Sequence, residues 1–333
     1  MHLSPRPAAL VLTLAFAACA ERSPPAATKV SESTGAKASV SSVAPAAPKA
    51  PAVAPAAALE RVIAIGDIHG DLRAARRALR TAGAIDERDA WVGGKLVVVQ
   101  TGDQIDRGKE DREVLDLFEK LKGEASRAGG RMLSLSGNHE LMNASFDFRY
   151  VVAEAYPAFN SFTPAGPLAS RAARYGDEKR GRASAFAPGG VYALMLAERP
   201  VIAVVGDSVF AHGGVHRKHV DYGIDRINDG VKEWLVGRAS EPPAIAVAED
   251  GPVWTRAYSN GSVSAEACRN LGEVLTKLGA KRLVMGHTVQ EGGVTSACEG
   301  KAWRVDVGMS EHYGGPVEVL EIKAGEPHVL RAK

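Results

Sequence analysis

The chain has 333 residues, with 41 Lys and Arg against 39 Asp and Glu, which gives a formal net charge of +2. Apolar residues make up 45% of the sequence and charged residues 24%, as is usual for a globular protein with a sizeable core. This near-neutral balance argues against a nucleic-acid binder and against a scavenger of polyanions.

The N-terminus has the layout of a secretory signal. A short polar start is followed by an apolar run over residues 8–18, and Cys19 comes directly after small residues. The run is too short to span a membrane as a helix. We expect residues 1–19 to be a signal peptide of lipoprotein type, so that the protein is exported and periplasmic, and a lipid on Cys19 anchors it to the membrane. The alternative is simple cleavage near Ala18 or Ala20, which would release a free periplasmic protein.

Residues 20–58 are mainly Ala, Pro, Ser, Val and Lys, with almost no large apolar side chain. Such a segment cannot bury enough surface to fold, so it is predicted to be a disordered tether that spans roughly 35 Å. No internal repeat and no second low-complexity break follows it. We therefore expect one domain over residues 59–333. We also expect it to act as a monomer.

Strands and helices alternate in the first half of this domain. Apolar runs predict strands over 61–65, 96–99 and 132–135, and helical periodicity predicts helices from Asp71 to Gly83 and over 111–127. Such alternation indicates an α/β fold with a parallel sheet. After residue 192 short strands lie close together, which indicates a second, mixed sheet packed on the first. Its predicted strands are 201–205, 208–211, 282–285, 302–307 and 317–322.

Five polar clusters each follow an apolar run that is typical of a buried strand. They are Asp67 to His69, Asp103 to Arg107, Asn138 to Glu140, His212 to Gly214 and Gly286 to Thr288. Taken singly, a His after a strand is more often a core residue, and an Asp before a turn is more often a cap. Open α/β sheets bind ligands at the carboxyl ends of their strands, so the five clusters together favour one shared site.

These clusters contain ligands for two divalent cations, and Mn, Fe or Zn would suit such donors. The predicted ligands of one ion are Asp67, His69 and Asp103, and those of the other are Asp103, Asn138, His212 and His287. Asp103 is therefore the predicted bridge. Two cations about 3.5–4 Å apart can clamp phosphoryl oxygens and generate a bridging hydroxide as the nucleophile, so no covalent enzyme intermediate is needed.

Neighbouring side chains suit the remaining steps of phosphate-ester hydrolysis. His139 is the predicted general acid that protonates the leaving group, and Asp106 is its orienting partner. Arg107 is predicted to bind phosphate through its guanidinium fork. Arg256, in a loop-like segment with aromatic neighbours, is predicted to complete this phosphate clamp. The alternative for Arg256 is a surface salt bridge over packed aromatic rings.

Two further features leave alternatives open. Cys268 and Cys298 lie on either side of the His287 loop, and two thiols in an oxidising compartment are more often paired than free, although spacing alone does not show that they meet. The stretch 171–182 carries five basic residues. It is either a solvated charged face or a surface that steers an acidic or phosphorylated substrate.

Three of the clusters extend into longer signatures. Residues 66–70 read GDIHG, residues 102–108 read GDQIDRG and residues 137–140 read GNHE. Together with the His212 and His287 clusters, they resemble the GDxHG, GDxxDRG and GNHE signatures of the PPP-type, calcineurin-like metallophosphoesterases. The resemblance covers essentially everything from residue 59 onward. It implies a four-layer α/β-β-α sandwich of two mixed sheets and the metal ligands given above.

Within that family the chain most resembles the bacterial, Shewanella-like branch of protein phosphatases. The resemblance rests on Asn143 and on the segments 186–190, 251–258 and 308–315. It implies Ser/Thr or Tyr phosphoprotein phosphatase activity, often with manganese. The alternative functions are a symmetric bis-nucleoside polyphosphate hydrolase, a broad periplasmic phosphomonoesterase and, more remotely, a non-catalytic phosphoprotein-binding module.

Overall fold

The structure is a computed structural model that describes residues 59–164 and 169–332. The predicted signal peptide, the lipid site at Cys19 and the tether over 20–58 lie outside these residues. Among the helices of the described part, none is both long enough and apolar enough to cross a membrane.

Ten strands and ten α-helices make up the described part of the chain. The strands are β1 (Arg61–Ile65), β2 (Val97–Gln100), β3 (Arg131–Ser134), β4 (Ile202–Val205), β5 (Ser208–Ala211), β6 (Arg282–Met285), β7 (Thr295–Ala297), β8 (Ala302–Arg304), β9 (Glu318–Lys323) and β10 (Glu326–Arg331). The helices are α1 (Leu72–Thr81), α2 (Asp111–Arg127), α3 (Asn138–Ala144), α4 (Ala169–Ala172), α5 (Asp177–Phe186), α6 (Val191–Leu196), α7 (Arg217–Tyr222), α8 (Ile224–Leu235), α9 (Ala244–Val247) and α10 (Ala265–Leu278).

The first sheet has the strand order β10–β9–β1–β2–β3. Strands β1, β2 and β3 run parallel, with Val98 paired to both Ile63 and Met132. Helices α1 and α2 are the crossovers between them, and Asp71 caps α1 by accepting a hydrogen bond from the Ala74 N–H at 2.8 Å. The predicted parallel β–α alternation is confirmed.

The second sheet has the order β4–β5–β6–β8–β7, with β5, β6 and β8 parallel and the two edge strands antiparallel. One face of this sheet contributes Phe210 and Val284 to the core that includes β1, β2, α1 and α2. Its other face contributes Val209 and Leu283 to a second core, shared with α6, α8 and α10. Two cores between helices and two sheets give the predicted four-layer sandwich of two mixed sheets.

One predicted strand belongs to a different sheet. Residues 317–322 were assigned to the second sheet, but the strand there, β9, pairs antiparallel with β1 in the first. The free edge of β1 needs partners for its backbone N–H and C=O groups, and β9 supplies them through pairs such as Val62 with Ile322. The prediction was wrong because it grouped strands by closeness in sequence.

The two cysteines form a disulfide bond. Cys268 lies in α10 and Cys298 lies in the turn between β7 and β8, with their Cα atoms 5.2 Å apart. The bond joins the outer helical layer to an edge hairpin of the second sheet. The spacing of the cysteines left open whether they are paired or free, and the structure shows them paired.

Candidate metal centre and its acid–base pair

All five polar clusters lie at the carboxyl ends of strands, after β1, β2, β3, β5 and β6. The strands are parallel within each sheet, so their ends meet where the two sheets face each other. Backbone hydrogen bonds tie the first two clusters together, because the N–H groups of Ile68 and His69 donate to Asp103 O at 3.0 and 3.1 Å. The structure therefore brings together the six predicted ligands.

The backbone of this site is strained. Five non-glycine residues have a positive φ, namely His69 (49°), Asp103 (54°), Asp106 (70°), Arg107 (68°) and His287 (70°). Each left-handed residue of this kind costs about 1–2 kcal/mol, and such residues concentrate at functional sites. Asp67 and His69 were expected to face one side because both lie on an extended strand end. They do converge, but through the left-handed turn at His69.

Four side chains form the group predicted to hold one cation. His212 Nε2 lies 2.9 Å from Asn138 Oδ1, 3.1 Å from Asp103 Oδ2 and 3.1 Å from His287 Nδ1. The four residues are buried. Asp103, His212 and His287 also form one of the two clusters whose ligand atoms lie close enough together for a single ion.

The donor chemistry of this group fits a cation. His212 Nδ1 bonds to Thr101 O at 3.0 Å, and His287 Nε2 bonds to Trp254 O at 3.0 Å. A carbonyl oxygen only accepts, so each ring donates from that nitrogen and directs its other nitrogen into the group. In the neutral form of both rings, lone pairs from two imidazoles, one amide and one carboxylate converge, and a bound cation would offset their mutual repulsion.

The other predicted group contains Asp67, His69 and Asp103. His69 Nε2 lies 3.9 Å from Asp67 Oδ2 and 4.0 Å from Asp103 Oδ2. His69 Nδ1 donates to Ile105 O at 3.1 Å, so the Nε2 lone pair faces the two carboxylates. The separations are wider than in the other group, and they leave room for an ion between the donors.

The pKa shifts of three donors, His69, His287 and Asp103, favour metal binding. Burial lowers the pKa of His69 to about 3 and the pKa of His287 to about 2, so both imidazoles stay neutral. Burial works against the charge on Asp103, but His212, His139 and His69 together hold the pKa of Asp103 well below its usual range. The predicted bridging residue is therefore an anion that lies beside the imidazoles of both predicted ligand groups.

His139 is set apart from the ligands by its partner. Its Nδ1 donates to Asp106 Oδ2 at 2.7 Å, whereas the ligand imidazoles bond to backbone carbonyls. Its Nε2 lies 3.7 Å from Asp103 Oδ2, which groups it with His69 and Asp103 as a possible ligand set as well. Burial opposes the charged ring, but the Asp103 and Asp106 carboxylates outweigh it and raise the pKa of His139. Such an imidazole can carry a proton to a leaving group.

Arg107 lies beside His139 at the mouth of the site. One of its terminal guanidinium nitrogens is 3.5 Å from His139 Nε2, and its guanidinium carbon lies 4.8 Å from the Tyr150 ring and 5.2 Å from the Tyr313 ring. The two rings hold the fork by cation–π contact. A cleft of about 580 Å³ opens here, lined in part by His69 and Arg107. This is the position predicted for a phosphate-binding arginine.

Arg256 has a different environment from the one expected. Its guanidinium donates to His287 O at 2.8 Å and to Thr288 Oγ1 at 2.7 Å, so it braces the loop that carries a predicted ligand. The residue is exposed, and its neighbour Tyr258 is fully buried. The structure gives Arg256 this bracing contact, and its role in the phosphate clamp stays a prediction.

Two buried carboxylates were given no role from the sequence alone, Asp306, which was not singled out, and Glu140, which was placed in a cluster. Asp306 follows β8 at the same edge as the five clusters, and its charge, second to burial, raises the pKa of Asp67. Burial in turn raises the pKa of Asp306 to about 6.

Glu140 accepts hydrogen bonds from the N–H groups of Asp103, Gln104 and Gly137 at 2.7–2.9 Å. It therefore fixes the backbone that presents the predicted bridge.

Close backbone approach also shapes the site. A Cβ atom on Gly286 would lie 2.1 Å from Asp67 Oδ1, closer than two such atoms can approach. Glycine at this position lets the end of β6 pass directly beside a predicted ligand from β1. Position 286 therefore needs glycine for space.

Two sheets in a four-layer sandwich, with these donors and this acid–base pair at their strand ends, define a metal-dependent phosphoester hydrolase. The sequence profile of the family described as calcineurin-like phosphoesterase matches residues 60–291, which is more than half of the chain. The chain belongs to the calcineurin-like phosphoesterase family.

Its relatives include named phosphatases. The chain is 39% identical over 294 residues to Shewanella-like protein phosphatase 2 of Arabidopsis thaliana, a match that covers 79% of this chain and 75% of that protein. It is 30% identical over 266 residues to Shewanella-like protein phosphatase 1 of Plasmodium berghei, covering 77% and 69%. The solved structure of a cold-active protein-tyrosine phosphatase from a psychrophilic Shewanella species has a similar fold, with a TM-score of 0.63 at 23% identity over 82% of this chain and 81% of that chain. The predicted family and its Shewanella-like branch are confirmed.

Proposed function

We propose that this protein is a metal-dependent phosphomonoesterase whose substrates are phosphoproteins. The carrying observation is the position of Asp103, whose Oδ2 atom faces His212 at 3.1 Å, His69 at 4.0 Å and His139 at 3.7 Å. One carboxylate thus lies between both predicted ligand groups and the predicted acid. In this arrangement a phosphate ester would lie between the two predicted ligand groups and the proton donor.

The protein's own groups account for binding and proton transfer. When bound, two divalent cations supply the Lewis acidity that neutralises phosphoryl charge and activates the attacking water. Arg107 binds the phosphate oxygens from the opposite side. His139 gives the Nε2 proton to the leaving-group oxygen, while Asp106 holds its Nδ1–H and stabilises the charged ring before transfer.

The cleft beside Arg107 supports a polypeptide substrate. Its lining combines basic and acidic side chains, including Arg73 and Lys109 with Glu154 and Glu311. A mixed-charge open cleft suits a peptide chain better than a compact polyanion, which would face the carboxylates. Two relatives named Shewanella-like protein phosphatases support the same substrate class. Manganese is the proposed metal, with iron and zinc as alternatives.

We also propose that the protein is exported and anchored by a lipid on Cys19. The support is the signal-like pattern of residues 1–19 together with the Cys268–Cys298 disulfide, because disulfide bonds persist in oxidising compartments. Expression in a bacterium with labelled palmitate tests the anchor: the wild-type chain should take up label and a Cys19→Ser variant should not. Label in both chains, or in neither, contradicts it.

A metal-resolved substrate panel tests the proposed activity. The full chain is stripped with a chelator, reloaded with Mn, Fe or Zn, and assayed on phosphoserine and phosphotyrosine peptides, small phosphomonoesters and diadenosine tetraphosphate. Stripping should remove activity, and manganese should restore it on the phosphopeptides. A preference for the dinucleotide of more than tenfold in kcat/KM would instead support a bis-nucleoside polyphosphate hydrolase. Small esters cleaved as fast as every peptide would support a broad phosphomonoesterase.

A further inference from the structure

Arg182 is a fully buried arginine beside the acid–base pair. It lies in α5, within the basic stretch 171–182, yet its side chain has no exposed surface. Both interpretations of that stretch, a solvated face and a steering surface, are therefore wrong for this residue. Burying a guanidinium is costly unless its donors are matched by acceptors, so its partners indicate what it does.

The partners of Arg182 lead to the predicted acid. Its terminal NH2 group lies 3.0 Å from Asp106 Oδ1, its Nε donates to Asn143 Oδ1 at 2.8 Å, and its NH1 group lies 2.7 Å from Asp111 Oδ2. The Asn143 side-chain N–H2 in turn donates to both Asp106 oxygens at 3.0 and 3.1 Å. The Asp106 oxygen that faces Arg182 is the one that His139 does not use.

Aromatic packing fixes the guanidinium plane. Its central carbon lies 5.0 Å from the Phe159 ring and 5.0 Å from the Phe186 ring. Both rings are fully buried, so the fork has no room to swing away from Asp106. A group that is held this firmly can transmit its position to whatever it contacts.

We propose that Arg182 is a positioning residue that fixes the Asp106 carboxylate and, through it, the orientation of His139 for proton donation. The inference rests on the proposed phosphomonoesterase function. Arg182 and Asn143 together hold Asp106 Oδ1, so the carboxylate cannot rotate, and Oδ2 stays in line with His139 Nδ1. Without Arg182, Asp106 Oδ1 loses its charged donor, and the His139 imidazole loses a carboxylate partner of fixed orientation.

The proposal differs from a purely structural role in one measurable way. A misplaced proton donor slows esters whose leaving group needs the proton and hardly affects esters whose leaving group departs unprotonated. A general loss of order in the site would slow both kinds of ester by the same factor. The ratio of two rates within one variant therefore separates the two roles.

The test compares phenyl phosphate, a poor leaving group, with 4-nitrophenyl phosphate, a good one, on the full manganese-loaded chain. Arg182→Met should lower kcat on phenyl phosphate by roughly 10–100-fold and on 4-nitrophenyl phosphate by less than about threefold. Arg182→Lys, which keeps a charge but not the fork, should lower kcat on phenyl phosphate by less than Arg182→Met does. The matched control is Arg180→Met on the same helix, whose guanidinium pairs with the exposed Asp177 and should change neither rate.

Two further readouts make the outcome decisive. In an Asp106→Asn background, replacing Arg182 should cause no additional selective loss, because the residue it acts through is already gone. In zinc-loaded protein, the downfield proton resonance of the His139 Nδ1–H should shift in Arg182→Lys and remain in Arg180→Met. Equal losses on the two esters, or an unchanged resonance, overturn the proposal.

The same assay keeps this inference apart from the proposed function. Wild-type protein that hydrolyses neither ester contradicts the phosphomonoesterase function itself. Wild-type protein that hydrolyses both, with variants that lose both equally, contradicts only the role of Arg182. If Arg182→Met does not fold, Arg182→Lys and its Asp106→Asn double variant decide the question by the same ratio.

Discussion

Replacing Asp103 by Asn is expected to abolish hydrolysis of every phosphate ester. The carboxylate is buried, its Oδ1 accepts from the His139 N–H at 3.0 Å, and its Oδ2 faces both predicted ligand groups. An amide has one oxygen and no negative charge, so it cannot fill the backbone contact and bridge two cations at once. Metal binding should weaken together with activity, and calorimetric titration with manganese measures the binding directly.

The control for this change is Asp221→Asn. Asp221 is an exposed carboxylate of α7 that pairs with Lys277 and Arg217 and with none of the six predicted ligands. Such a surface ion pair is screened by solvent, so its loss should hardly change stability and should leave metal binding intact. Hydrolysis that survives in Asp103→Asn, with two manganese ions still bound, would show that the shared-carboxylate arrangement is not the one that works.

The local apolar pattern of the sequence was enough to predict the strands and helices that position the site. The first strand and the second long helix were predicted at the bounds that the structure has, over 61–65 and 111–127. Their apolar periods are unbroken, and glycine or a polar cluster ends each run. Because polar residues at the ends of parallel strands share one edge, the six predicted ligands could be brought together without any knowledge of distances.

Long-range pairing was not available from such patterns. The strand at Glu318–Lys323 has a burial pattern that fits either sheet, and only the free edge of β1 decides where it pairs. Asp306 was missed for a related reason. The predicted strand over 302–307 ran through it, whereas β8 ends at Arg304 and leaves Asp306 in the strand-end position. A strand predicted to end at Arg304 would have left Asp306 among the polar residues that follow a strand, and these are the residues from which the site was predicted.

The run of basic residues in the sequence also did not show whether Arg182 faces solvent or the core. Residues two apart on a helix project roughly 200° apart, so Arg180 can face solvent while Arg182 faces the core. Net charge along 171–182 does not distinguish these directions. The left-handed backbone at His69 and Asp103 is likewise a property of the whole site, because neighbouring segments must hold an unfavourable conformation that the local sequence does not prefer.

Replacing His139 by Gln is expected to lower kcat on phenyl phosphate by about 10²–10⁴-fold, the usual contribution of a general acid. Glutamine can still donate a hydrogen bond to Asp106, so the buried carboxylate keeps a partner and the fold should persist. Its amide cannot release a proton to a leaving group. The loss should therefore be much smaller on 4-nitrophenyl phosphate, and steady-state kinetics on the two esters measures the difference. His328→Gln, at an exposed position of β10, is the matched control.

Metal affinity decides between the two roles that the geometry allows for His139. The ring belongs to the possible ligand group with His69 and Asp103, and it also forms the short contact with Asp106. If His139 is the acid, its replacement by Gln leaves the stoichiometry and affinity of manganese binding close to those of the wild type. If His139 is a ligand, the same change weakens one manganese site and slows the hydrolysis of both esters alike, whatever their leaving group. We expect the first result, since three other imidazoles, each with a backbone carbonyl on one nitrogen, already direct a nitrogen into the site. His139 instead donates from Nδ1 to Asp106, and the Asp103 and Asp106 carboxylates favour its charged form.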